Sequence, residues 1–345
     1  MRGSELIMKT ISRRGFLSCT AGVLAVSTSA GTPSDRVRLG VIGLGKRGFW
    51  HVRALTRTPK VQVCAVCDIH RVRLGRAAGF VEQKQRTPPG MFVDYRYLLD
   101  SHDVDAVAVA VPDRLRPAVV RYACQSGKHV LLPPKTILGL REGRDFENYA
   151  TDYRRLIAVA QTYPLPYPAG VDWDRVQGVT LTGDRDGSLY ALAMDGLDAA
   201  RRILGVRLPC NVCTFELPGS SVAMSFSYPE RRNVMTWEVR QVPGTGCTQT
   251  RVLFERNGRS EWIESVAPAE STAGFRPPQE QFLTFAQAVR SGDSRHVAAS
   301  VSEARLTSVL LRLAKLSASW NRQISFDPVN EVLCESNNQF GAELE

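Results

Sequence analysis

Three glycines, Gly43, Gly45 and Gly48, stand in the stretch VIGLGKRG, separated by one residue and then by two. They follow an apolar run, VRLGVIG, and open a segment with helical spacing, KRGFWHVRALTR. Asp68 ends the next apolar run, about 20 residues further on, which completes the spacing of a dinucleotide cradle. Gly43 permits a tight turn, Gly45 lets the backbone approach a pyrophosphate, and Gly48 lets the helix pack close to the strand. The pyrophosphate would sit on the helix N-terminus, where N–H groups lack partners and the dipole favours anions. Leu44, Lys46 and Arg47 share this loop, and Pro112, after a later strand, is expected to border it. Asp68 can accept hydrogen bonds from both ribose hydroxyls and would repel a 2′-phosphate, so NAD is favoured over NADP. Arg71 and Arg73 nearby work against that preference.

A second stretch raises a question about catalysis. GKHVLLPPKTILG, residues 127–139, reads as a buried strand that runs into Pro133 and Pro134 and then Lys135. Oxidation of an alcohol by hydride transfer needs a base near the hydroxyl, with a pKa near the working pH. Lys135 is either such a group at a strand end or a solvated loop residue. The five histidines offer no obvious base. His51 is in the first helix, His70 beside the ribose site, His102 in a polar turn, His129 at a strand start and His296 in a loop, and each reads as structural or exposed. Of eight cysteines, Cys64 and Cys67 lie in one apolar strand, where residues three apart point to opposite faces. That excludes a shared metal, and Cys210 and Cys213 read the same way. Buried small hydrophobes are the better reading, and no metal is expected.

The elements that must position these residues alternate. After the first strand and helix come VQVCAVCD as strand, RVRLGRAAGFVEQKQ as helix, DAVAVAVP as strand, RPAVVRYACQSG as helix with Gly127 as its cap, and HVLLP as strand. LREGRDFENYATDYRR then reads as helix and LIAVAQT as strand. Such alternation argues for a parallel sheet covered on both faces. Beyond the proline-rich joint YPLPYPAG one helix, YALAMDGLDAARRILG, precedes strand-like segments separated by turns: NVCTFEL, SSVAMSFSYP, NVMTWEVRQV, QTRVLFERNG and RSEWIESVA. Hairpin spacing without helices argues for an open, mainly antiparallel sheet. Two helices follow, EQFLTFAQAVRSG and VSEARLTSVLLRLAKLSASWN, and FDPVNEVLCESNNQFGAELE reads as a partly disordered tail. The fold class is therefore α/β: an N-terminal doubly wound Rossmann domain and a C-terminal α+β domain.

The 345 residues are 43% hydrophobic, enough for two cores, and carry a net charge of +10. The basic residues are scattered and do not interleave with aromatics, so a nucleic-acid partner is not expected. At the start of the chain SRRGFL precedes SCTAGVLAVSTSA, an apolar stretch too short to span a bilayer, with Thr28 and Ala30 suited to cleavage. This is similar to a twin-arginine export signal over residues 1–30 and predicts a periplasmic protein with no stable membrane span.

Several stretches in sequence, VRLGVIGLGKRG, CDIH, DYRYLLDSHDVDAVAVAVPD and ACQSGKHVLL, resemble the glucose–fructose oxidoreductase/inositol dehydrogenase (Gfo/Idh/MocA) family. The C-terminal QFLTFAQAVRSGD and VSEARLTSVLLRLAKLSASWNRQISFDPVNE resemble it too. The resemblance implies a Rossmann domain over 36–163, a C-terminal substrate and oligomerisation domain over 164–332, and a tail over 333–345. It further implies hydride transfer on a carbohydrate-like substrate (a sugar, a cyclitol or a derivative) and a homo-oligomer formed through the C-terminal sheet. This sequence departs from the family where chemistry is expected. The family's Glu-Lys-Pro triplet is replaced by Pro133, Pro134 and Lys135. The family's Asp and, four residues on, His are matched by Ala191 and Asp195, while Asp198 matches a later aspartate. Arg114 and Arg116 stand where relatives place histidines. Lys135, Asp195 and Asp198 are thus the catalytic candidates, and Asp195 serves as a base only if burial raises its pKa. Two alternatives stay open: a degenerate relative that binds NAD or a sugar, and a non-redox enzyme that uses tightly held NAD for transient oxidation.

Overall fold

The apolar runs of the first half become the strands of one parallel sheet. The computed structural model describes residues 36–134, 136–160, 176–183, 197, 208–217, 221–228, 235–241, 247–256, 259–268, 279–293, 297 and 300–334. The first sheet comprises β1 (Val37–Ile42), β2 (Val61–Cys67), β3 (Gly90–Phe92), β4 (Ala106–Val109), β5 (His129–Leu132) and β6 (Ile157–Val159). Its order is β3-β2-β1-β4-β5-β6, and every neighbouring pair is parallel. Helices α1 (Lys46–Leu55), α2 (Arg71–Gln85), α3 (Tyr95–Leu99), α4 (Arg116–Gln125) and α5 (Leu140–Asp152) connect the strands. This is the doubly wound arrangement, with the strand order reversing between β1 and β4. The sequence reading missed β3 and α3, which are too short to show a period.

The helices pack as their spacing predicts. In α2 the buried residues are Leu74, Ala77, Ala78 and Val81, the one-face pattern of an amphipathic helix. Helix α4 ends with Gly127 at φ +76°, the left-handed position that glycine takes without steric cost.

One expectation fails in β2. The register with β1 runs Leu39 to Val63 and then Gly40 to Ala65, so Cys64 is an extra, bulged residue. A bulge shifts the alternation by one. Cys64 and Cys67 therefore pack against the same apolar cluster instead of opposite faces. Burial pushes both thiols up to about 12, so neither is a thiolate near neutrality. Among the described residues there is no cluster of three potential metal ligands.

The second sheet holds β7 (Val176–Gly183), β8 (Asn211–Leu217), β9 (Ser221–Ser227), β10 (Met235–Gln241), β11 (Cys247–Arg256) and β12 (Arg259–Pro268). The hairpin β13 (Ile324–Asp327) and β14 (Val332–Leu333) extends it. Its order is β12-β11-β7-β10-β9-β8-β13-β14. Pairing is antiparallel except between β7 and β10. Strand β7 was not foreseen, and the start of the expected tail is corrected. Phe326 is fully buried and Ile324 pairs with Val212, so the chain stays in the sheet through β14. Of the expected helix over 190–205 only Leu197 is described, and it is helical and buried.

Helices α6 (Gln279–Ser291) and α7 (Val301–Trp320) return to the first sheet. Phe282, Phe285 and Ala286 of α6 join the core formed by Val52 and Leu55 of α1. Val301 and Ala304 of α7 pack with Phe146 of α5 and Val159 of β6. Two buried serines fix α7 further. Ser308 Oγ accepts from Leu138 N at 3.0 Å and donates to Ala304 O at 2.7 Å. Ser317 Oγ accepts from Thr214 N of β8 at 2.8 Å and donates to Arg322 O at 2.7 Å. Among the described residues no helix is long and apolar enough to cross a membrane.

Candidate active site

The glycine loop joins β1 to α1 at the carboxyl end of the sheet. Gly43 has φ +83°, and a Cβ there would come within 2.6 Å of Ala110 O in the loop after β4. A Cβ on Gly48 would overlap the carbonyl oxygen of Gly43. Both positions therefore require glycine for physical reasons, one for φ and for space, the other for space alone. Gly45 differs, because a Cβ there would meet nothing within 4 Å. The space beside Gly45 is open, and the N-terminus of α1 has no side-chain cap and no acid in its first turn. Its first N–H groups thus face an open site with a positive dipole end, and Lys46 and Arg47 are exposed beside it. This cradle fits a pyrophosphate.

Asp68 lies at the end of β2 and is 7% exposed. Its Oδ2 accepts from Leu44 N at 2.7 Å, and its Oδ1 accepts from His70 N at 2.8 Å. The carboxylate therefore holds the glycine loop against β2, a role the sequence did not suggest. Each oxygen keeps acceptor capacity for a ribose hydroxyl. Ile69 and Val72, 76% and 86% exposed, place apolar surface beside it.

The loops after β4 and β5 form the other wall. Pro112 is exposed and starts a 3-10 turn over Asp113–Leu115, where Leu115 N donates to Pro112 O at 2.9 Å. After β5, Thr136 Oγ1 donates to Pro133 O at 2.6 Å, and Leu138 N is held by Ser308. The guanidinium of Arg116 joins the two loops. It pairs with Glu142 and Asp113, each at 2.7 Å, and donates to Ile137 O at 3.1 Å. Glu142 Oε2 also accepts from Gly139 N at 3.2 Å, which caps α5. Sequence reasoning missed this hub, since nothing local marks an arginine whose partner is 26 residues away.

The structure thus brings Gly43, Leu44, Gly45, Lys46, Arg47, Gly48 and Asp68 together at one crevice, with Pro112 on the wall after β4. The catalytic candidates Lys135, Asp195 and Asp198 lie outside the described residues. No described histidine is placed as a base. His51 is fully buried against Trp50 and Phe282, neither ring nitrogen has a hydrogen-bond partner, and burial pushes its pKa down to about 3. His129 starts β5 at the opposite end of the sheet. Its Nδ1 accepts from Leu156 N at 2.9 Å, and burial with nearby Arg155 lowers its pKa to about 4. His70 and His102 are exposed.

Comparison with known proteins agrees with this architecture. Residues 37–135 match the family model of the Gfo/Idh/MocA oxidoreductases, described as an oxidoreductase family with an NAD-binding Rossmann fold. A glycosyl hydrolase family 109 protein of a Shewanella species is 28% identical over a 164-residue alignment that covers 39% of this chain and 36% of that protein. The chain thus spans about a third of the length of the curated relatives it matches. The solved myo-inositol 2-dehydrogenase of Lactobacillus plantarum superposes with a TM-score of 0.68 at 14% identity, covering 85% of this chain and 100% of the other. The scyllo-inositol dehydrogenase of Lactobacillus casei, solved with NAD(H) and scyllo-inositol, gives 0.64 at 11% identity, covering 84% and 99%. Residues 37–135 therefore match the NAD-binding Rossmann model of the Gfo/Idh/MocA oxidoreductase family, in a chain whose fold is similar to that of solved inositol dehydrogenases.

Proposed function

We propose that the protein is an NAD-dependent oxidoreductase that moves a hydride to or from a sugar, a cyclitol or a derivative of one. The observation that carries this reading is the glycine loop closed onto Asp68 beside an open, uncapped helix N-terminus. Bound NAD would supply the hydride acceptor. The chain's part is to hold the pyrophosphate at Gly45–Arg47, orient the ribose at Asp68 and close the far wall at Pro112. Asp68 favours NAD over NADP, because a 2′-phosphate beside a carboxylate is repelled. Lys135, Asp195 and Asp198 remain the candidates for handling the substrate proton.

The relatives' name favours a second reading. Hydrolysis of a glycoside involves no net oxidation, so a hydrolase built on an NAD-binding domain must restore its cofactor within each turnover. Tightly held NAD that oxidises the sugar transiently meets that requirement. One experiment separates the readings. The purified protein is given NAD with a panel of sugars and inositols, and then with aryl glycosides, while reduced cofactor and released aglycone are followed. Accumulation of reduced cofactor supports the dehydrogenase. Aglycone release with no net reduction supports the second reading. NAD binding without either product would leave a binding protein.

Residues 1–30 support export by the twin-arginine route to the periplasm. Arg13→Lys with Arg14→Lys is expected to hold the precursor in the cytoplasm, and unchanged fractionation would reject export. Phe215 of β8, 52% exposed, supports a homo-oligomer formed through the second sheet, which sedimentation would test.

A further inference from the structure

Arg116 opens α4 and is 4% exposed. Nε and Nη2 take Glu142 Oε1 and Oε2, both at 2.7 Å, in the bidentate fork that only arginine provides. Nη1 takes Asp113 Oδ1 at 2.7 Å, and Nη2 also donates to Ile137 O at 3.1 Å. One buried cation therefore fixes three segments: the 3-10 turn that follows Pro112, the loop after β5, and the first turn of α5. The first two are the loops on the far wall of the crevice.

We propose that Arg116 is a positioning residue for the cofactor, setting the spacing between the loops after β4 and β5 that receive the nicotinamide half of NAD. The proposal rests on the cofactor reading above. A planar fork bonded on three sides allows little displacement of any partner. Replacing it leaves Glu142, itself mostly buried, without its cation, so Glu142 must turn toward water and release Gly139 N and the loop before it.

The molecule contains its own control. Arg305 is 8% exposed and pairs with Glu147 of α5 at 2.9 Å and with Glu331 at 2.7 Å. Its aliphatic stem packs on Gly143, where a Cβ would come within 2.6 Å of Arg305 Cγ. The chemistry is that of Arg116, but it ties α5 and α7 to the turn between β13 and β14, and neither Glu147 nor Glu331 lies in the loops after β4 and β5. General loss of a buried ion pair is thereby separable from loss of loop spacing.

The test compares full-length Arg116→Lys, Arg116→Met and Arg305→Met with the wild type. Calorimetry gives the Kd for NAD, melting gives stability, and amide exchange without cofactor reports on residues 110–115 and 136–139. Arg116→Met is expected to weaken NAD binding about tenfold or more and to speed exchange in both loops. Arg305→Met is expected to lose comparable stability with its NAD Kd within about twofold of wild type, because neither Glu147 nor Glu331 lies in the two loops. Arg116→Lys retains the charge without the fork, and it decides the matter if Arg116→Met does not fold: weakened binding with faster loop exchange supports the proposal. Wild-type Kd and exchange in Arg116→Lys overturn it, as does an Arg305→Met variant that loses as much affinity as Arg116→Met. A wild type that binds no NAD removes the cofactor reading and this inference together. A wild type that binds, with Arg116 variants no worse than Arg305→Met, removes this inference alone.

Discussion

The two walls of the crevice are built by different means. On the β1–β2 side the requirements are local: a left-handed φ at Gly43, no Cβ at Gly48, open space at Gly45, and one carboxylate at the next strand end. On the β4–β5 side the loops are held from afar. Arg116 reaches Glu142 across 26 residues, and Leu138 N reaches Ser308 across 170. The first wall is a backbone shape that a few residue types specify. The second is a spacing, specified by side chains that no short motif contains. Substitutions on the first wall should therefore abolish binding, and those on the second should alter geometry by degrees.

The largest effect is expected at Gly48→Ala. A methyl group there overlaps Gly43 O, so α1 must move away from the loop it opens. Overpacking of this kind costs roughly 1–3 kcal/mol of stability. NAD affinity is expected to fall more than about a hundredfold, since the N–H groups that receive the pyrophosphate move with the helix. Calorimetry and a thermal melt measure both. Unchanged NAD binding in a folded variant would break the claim that this wall is specified by its backbone.

Next in size is Asp68→Ala, which removes the acceptors for Leu44 N and His70 N. Leaving the Leu44 N–H unpaired costs roughly 1–3 kcal/mol. NAD binding weakens on two counts, through the loosened loop and the lost ribose acceptor. NADP suffers less, because the repulsion with its 2′-phosphate disappears, so the preference narrows. Equal NAD and NADP affinities in the wild type would overturn the preference itself.

The same contrast explains how much the sequence disclosed. The turn at Gly43 and the close packing at Gly48 were legible because backbone sterics restrict which residues can stand there. So were β1, β2, β4, β5, α2 and β8, whose apolar periods are long enough to read. Strand β3 has three residues and β14 has two, below the length at which a period exists. The bulge at Cys64 was hidden because a parity shift depends on the neighbouring strand, not on β2 alone. The segment from Phe326 was taken for a tail because, within it, Phe326 is a single buried residue followed by polar and turn residues. Arg116 read as a stand-in for a family histidine, whereas its buried pairing required knowing that α5 begins beside α4.

A smaller, pH-dependent effect probes the first wall from below. Helix α1 carries the glycine loop at its start and His51 against Phe282 of α6. Burial lowers the folded-state pKa of His51 from 6.5 to about 3. The unfolded chain therefore binds the proton more readily than the folded one. Stability is full above pH 6.5 and is lost as pH falls from there toward about 3, by up to about 1.4 kcal/mol per unit. His129, also lowered, adds a contribution of the same sign, so the comparison must be made between variants. His51→Leu should melt at a less acid-sensitive temperature than the wild type between pH 6.5 and 4.5. Parallel curves would show that His51 finds a proton or a partner in the folded state.

The smallest effect is expected at Lys135→Ala. Lys135 stands one residue beyond the position where the family's lysine is expected, behind two prolines that fix φ and offer no N–H donor. A one-residue slip in extended chain moves a side chain by about 3.3 Å and reverses its face, enough to miss a hydroxyl that must lie within hydrogen-bond reach. The residues on either side are held by hydrogen bonds. Pro133 O is bonded to Thr136 Oγ1, Ile137 O to Arg116, and Leu138 N to Ser308. The expected result is slow turnover of sugars and cyclitols by the wild type, with Lys135→Ala changing NAD affinity by less than about threefold and kcat by less than about tenfold. A fast wild-type dehydrogenase that loses about a hundredfold in Lys135→Ala, about 2.7 kcal/mol of transition-state stabilisation, would give the opposite answer. The shifted lysine would then hold the reacting oxygen, and the diproline would be the device that aims it. In that case the second wall would also carry its chemistry in a short local motif, and the contrast between the two walls would apply to their support and not to their function.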